Sequence, residues 1–62
     1  MKRGDFIRHL AAHNCELLRE GANHSIYINQ TNKAQTAVAR HRELGDNTCR
    51  EICKQLGIPF TR

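Results

Sequence analysis

The last third of the chain carries the pattern that most limits its fold. Cys49, Ile52, Cys53 and Leu56 recur at i, i+3, i+4 and i+7, one stripe along a helix. Gly57 follows as a residue free to take the left-handed conformation that ends helices. Ile58 is set to fold back on Cys53, and Pro59 blocks continuation. Thr48 with Glu51 fits a capping box at the start, and Asp46 or Asn47 are alternative caps. A helix with one apolar side must bury it. In a chain of 62 residues and 7.1 kDa there is room for one small domain, residues 1–62, so the partner must come from the same short sequence.

The N-terminal part offers a second amphipathic helix, from about Arg3 to His13. Phe6, Ile7, Leu10 and Ala11 fall on one side of it. Asp5 suits the positive end of the helix dipole, and Asn14 tolerates the left-handed turn that stops it. Between the helices the period changes to two. Cys15 to Glu20 reads as a strand, and Gly21, Ala22 and Asn23 as a turn. His24 to Asn29 reads as a second strand, with Ile26 and Ile28 on one face and Ser25, Tyr27 and Asn29 on the other. A polar loop over 29–33 leads to a third strand, Gln35 to Arg40, with Thr36 and Val38 sharing a face. Two helical stripes and one short antiparallel sheet have a single economical solution. The expected fold is a two-layer α+β domain, α-β-β-β-α, with both helices on one face of the sheet. The other face is left to water or a ligand.

Charge and cysteine content narrow the function. Lys and Arg total 10 against 6 Asp and Glu, a net charge of +4, which favours a polyanionic or acidic partner. No apolar run approaches the roughly 20 residues of a membrane span. Asp5, Arg8 and His9 interrupt what would have to be the apolar core of a signal peptide. A cytoplasmic protein with no membrane partner is expected. Three cysteines give no disulfide framework and are expected to stay thiols.

No Gly-rich phosphate loop, HExxH or CxxC occurs. His9 with His13, and Cys49 with Cys53, have the i, i+4 spacing of metal ligands. The cysteines belong to the apolar stripe, where Cys acts as a small hydrophobe, so no metal or other cofactor is expected. His24 stands where a small-residue turn enters a strand, and an imidazole there suits acid–base chemistry near neutral pH. The plain alternative is a surface histidine at a turn. Arg40, His41 and Arg42 form a cationic run at a strand end, able to contact phosphates or simply to be solvated. Arg19 is a further cation on the strands. Among the aromatics only Tyr27 could stack a base, so a broad stacking platform is not expected.

Three segments together carry a family resemblance: Gly-Ala-Asn-His-Ser-Ile-Tyr over 21–27, Val-Ala-Arg-His over 38–41, and Thr-Cys-Arg-Glu-Ile-Cys-Lys-Gln-Leu-Gly-Ile over 48–58. In this order and spacing the chain resembles the HicA family of small mRNA interferase toxins from type II toxin–antitoxin pairs. Ala22 and Ala39 depart from the residues common there, and Cys49 and Cys53 replace aliphatic ones. The resemblance implies a fold similar to the double-stranded RNA-binding domain and metal-independent cleavage of mRNA, which blocks translation. It also implies a HicB-type antitoxin as partner, the toxin being a monomer or part of a hetero-oligomer with it. It matches the family's catalytic histidine to His24. Arg40, His41 and Arg42, with Arg19 and Tyr27, are then the candidate substrate contacts. The competing readings are a domain that binds RNA or antitoxin without cutting, and a purely structural interaction protein.

Overall fold

The computed structural model describes residues 1–60. Five elements follow one another: α1 (Arg3–Ala12), β1 (Cys15–Glu20), β2 (His24–Asn29), β3 (Gln35–Ala39) and α2 (Asp46–Leu56). The strands form an antiparallel sheet in the order β1-β2-β3. This is the expected α+β arrangement. Both helices lie on one face, where Phe6 and Leu10 of α1 meet Tyr27, Val38 and the stripe Cys49, Ile52, Cys53 and Leu56 of α2. Phe6, Leu10, Val38 and Leu56 are completely buried. Each such side chain stabilises the fold by about 1.5–3 kcal/mol relative to exposure.

The ends of the elements explain themselves locally. α1 stops one residue earlier than expected, and Asn14 takes the left-handed turn after it (φ 66°). Ala11, expected in the stripe, is exposed, while Ile7 packs only partly against the core. The stop of α2 follows its sequence. Gly57 is left-handed (φ 73°), its N–H donates to the Lys54 carbonyl, and the Ile58 N–H donates to that of Cys53 at 2.9 Å. The β2–β3 loop is pinned to the same helix end. Asn29 and Asn32 both donate side-chain N–H groups to the Leu56 carbonyl, at 2.8 and 3.0 Å.

The start of α2 corrects the sequence reading. The cap position is Gly45, with no side-chain cap bond, so neither the capping box nor an Asp46 or Asn47 cap forms. The helix begins earlier because Asp46 already sits in its first turn, where a carboxylate suits the dipole and lies 4.0 Å from the N-terminal ammonium. The chain before α1 also holds this region. Leu44 and Arg3 donate backbone N–H groups to Met1 and Arg42, and Lys2 bridges to Glu43.

One irregularity decides what faces the β1–β2 turn. The register slips between Leu17 and Arg19, a β-bulge at Leu18. Without it, Leu17 opposite Tyr27 would be followed by Arg19 opposite Ser25. With it, Arg19 pairs with Ile26 and Glu20 pairs with Ser25. The slip moves a cation to the outer face and brings a carboxylate to the helix-facing side.

Candidate active site

His24 is the first residue of β2 and is exposed. Its neighbour Ser25 is completely buried, so alternation turns His24 to the outer face with Ile26. The turn before it is closed by the Gly21 N–H donating to the His24 carbonyl at 2.7 Å. A Cβ at position 21 would stand 3.0 Å from that oxygen, a tight contact that favours glycine in the turn.

Below the turn lies a polar hub. The Ser25 hydroxyl donates to a Glu20 carboxylate oxygen at 2.7 Å and accepts from Arg3 at 3.1 Å. Arg3 also donates to the Ala39 carbonyl, linking α1 to the end of β3. Arg40 closes the hub. Its guanidinium donates to Glu20 at 3.1 Å, to the Ala22 carbonyl at 3.3 Å, to the His24 carbonyl at 3.2 Å and to the Gly21 carbonyl. The Ser25 hydrogen bond, then the charges of Arg40 and Arg3, hold the Glu20 carboxyl below the usual carboxylate range against an opposing desolvation.

His24 opens onto a groove of about 440 Å³ between the outer edge of β3 and α2. Ala37 and Ala39 leave it wide on the strand side, and Asn47, Thr48, Glu51, Ile52 and Gln55 line the helix side. Two amides there have their oxygens engaged: Asn47 Oδ1 accepts from Arg50, and Gln55 Oε1 accepts from Thr36. Their nitrogens are left to donate. Thr48, Glu51 and Gln55, at i, i+3 and i+7, are a polar stripe beside the apolar one. Sequence reasoning passed over it because only the docking of α2 against β3 brings it to His24.

The other site candidates separate. Arg19, exposed opposite Ile26, shares the outer face with His24. Arg40 is spent on the turn and stands outside the β3 ladder, which ends at Ala39. Arg42 lines a second cavity of about 380 Å³ with Lys2 and Glu43. His41 is exposed and lines neither space. Tyr27, the one aromatic expected to be able to stack a base, lies away from His24. It alternates with His24 onto the helix-facing side, belongs to the core and is 8% exposed. His9 and His13 have rings 4.7 Å apart, and His9 Nε2 bonds to the Pro59 carbonyl. All three thiols are buried. Burial pushes Cys15 and Cys49 up, and Cys53 up to about 11.

A family model described as the HicA toxin of bacterial toxin–antitoxin systems matches residues 3–58. The chain belongs to the HicA toxin family. No curated protein and no solved structure matches it. Membership makes it a toxin of a toxin–antitoxin pair, with an antitoxin as partner. Among the described residues, no helix is long and apolar enough to cross a membrane. The match takes in all three segments on which the resemblance rested, including the HicA-like turn at 21–27 and the whole of α2.

Proposed function

We propose that this HicA-family toxin is an endoribonuclease that cleaves mRNA, with His24 as a proton-transfer group. RNA carries its own nucleophile. The 2′-oxygen attacks the adjacent phosphorus, the bond to the 5′-oxygen breaks, and the products are a 2′,3′-cyclic phosphate and a free 5′-hydroxyl. The protein has to align these atoms, move one proton from the 2′-oxygen and one to the 5′-oxygen, and meet the charge on the phosphate. None of these tasks requires a cofactor. Arg19 on the outer face and the amide donors of Asn47 and Gln55 in the groove are the groups suited to the phosphate. A HicB-type antitoxin with an acidic surface would complement the +4 charge and cover the His24 groove.

The observation that carries this reading is the position of His24. In a chain of this toxin family, His24 is exposed and lines a groove, beside a turn held by Arg40 and Gly21. The test is cleavage of an RNA and a DNA of the same sequence in excess EDTA, by the wild type and by His24→Ala. RNA-only cleavage with cyclic-phosphate ends, lost in a folded His24→Ala, is the expected result. Equal cutting by both proteins overturns the role of His24. Binding without cutting by the wild type selects the non-catalytic RNA-binding reading instead.

A further inference from the structure

Cleavage through the 2′-oxygen needs two proton transfers on opposite sides of the phosphorus. One imidazole placed for the first is badly placed for the second. Resting on the ribonuclease reading above, we infer that Glu51 is the second proton-transfer residue, the base that takes the 2′-hydroxyl proton, with protonated His24 as the acid.

Elimination among the carboxylates leads there. The chain has 6 of them. Asp5 pairs with Arg8, Glu20 is held by Ser25 and Arg40, and Asp46 lies beside the N-terminal ammonium. Glu43 lines the cavity with Lys2 and Arg42, and Glu16 is on β1 opposite Ile28. Among the described residues, Glu51 is the only carboxylate that lines the His24 groove. Its carboxylate makes no hydrogen bond or ion pair among the described residues. Its helical neighbours at i−4 and i+4, Asn47 and Gln55, are neutral amides whose oxygens are already engaged. Glu51 is exposed, as a group that must reach substrate has to be. Among the described residues that line the groove, His24 and Glu51 alone carry an imidazole or a carboxyl group.

The division of labour follows from chemistry. An ionised carboxylate only accepts hydrogen bonds and protons, whereas a protonated imidazole presents N–H donors, so the carboxylate is suited to be the base and the imidazolium the acid. The step balances. The Glu51 carboxylate takes the 2′-hydroxyl proton as the 2′-oxygen bonds to phosphorus. The bond from phosphorus to the 5′-oxygen breaks, and that oxygen takes the proton from His24. Exchange with water then resets both groups. The donors of Asn47, Thr48 and Gln55 offset the repulsion between a phosphate and the carboxylate.

The experiment compares wild type, Glu51→Gln and His24→Ala on two substrates: an ordinary RNA, and the same RNA with sulfur in place of the 5′-oxygen of the scissile linkage. A thiolate leaves without a proton, so that substrate dispenses with the acid and still needs the base. On ordinary RNA, Glu51→Gln is expected to lose about 100- to 10,000-fold, the range of acid–base help. On the sulfur substrate His24→Ala recovers most of its loss and Glu51→Gln recovers none. An unchanged melting temperature for Glu51→Gln separates lost chemistry from lost folding, and a drop in melting temperature that accounts for the lost activity overturns the role. Glu51→Gln cutting ordinary RNA within a few-fold of wild type overturns the inference and leaves the ribonuclease reading standing. Rescue of Glu51→Gln but not His24→Ala overturns the assignment of base and acid. A wild type that cuts neither substrate removes both readings.

Discussion

Arg40 donates from Nη2 to the backbone carbonyl of His24 at 3.2 Å. A cation beside the candidate acid therefore grips its main chain. Through Gly21, Ala22 and Glu20 it ties the turn together, which makes it a positioning residue. Arg40→Ala is expected to lower kcat by about 10- to 100-fold, the cost of a small misplacement of a reacting group, with KM nearly constant. Arg40→Lys should restore only part, because one ammonium cannot span three carbonyls and a carboxylate. Steady-state kinetics on RNA check this. A raised KM with kcat intact would mean that Arg40 holds phosphate.

The same hub sets an acid response. The folded-state pKa of Glu20 lies below its unfolded value, so its contribution is complete above the unfolded carboxylate range, near 4.3, and is lost as pH falls through the lower folded value. Glu20→Gln should be less stable than wild type near neutral pH. The gap should narrow as pH drops from about 5 through the ordinary carboxylate range. Urea unfolding at a series of pH values measures the gap. A gap that stays constant would show that the carboxylate charge plays no part.

How much of this was legible depended on whether a feature was local. The bounds of β2 follow from alternation, those of β1 from the stop of α1 and the small-residue turn after it, and the end of α2 from Gly57 and Pro59. Alternation also grouped Ser25 with Tyr27 and Asn29. It left open which face is buried, because the opposite face carries two isoleucines and looks the more apolar. The helices settle it by docking over Tyr27. The bulge at Leu18 has no glycine to announce it, so the exchange of Arg19 for Glu20 at Ser25 was out of reach. The grip of Arg40 on the turn and the groove shared by Glu51 and His24 arise from packing between segments distant in sequence.

The thiols offer a test of the core. Cys15, Cys49 and Cys53 are buried in it, and their raised pKa values disfavour thiolate. Native protein at pH 8 should react with a disulfide reagent only as fast as it opens, and the unfolded chain should release all three thiols at once. Raised folded values also mean stability that is complete below about 8.5, the unfolded thiol value, and is lost as pH rises toward 11 at Cys53. Thiol titration with and without denaturant reads the first effect, and unfolding at pH 8 and pH 10 the second. Rapid reaction of any one thiol in the native state would place that cysteine outside the packed core.

Gly57 joins the helix end to the β2–β3 loop, and its substitution tests that junction. Its φ of 73° is costly for a residue with a side chain, and a Cβ there would stand 2.8 Å from Asn32 Nδ2. Gly57→Ala should therefore cost about 1–2 kcal/mol from the backbone alone. Part of the loss should come through Asn32, which must leave the Leu56 carbonyl to make room. In the Asn32→Ala background that clash is gone, and Gly57→Ala should cost less than in the wild type, the non-additivity expected of residues in contact. Thermal unfolding of the two single variants and the double variant measures the difference. Strict additivity would confine the cost to the backbone of Gly57 and remove Asn32 from the account.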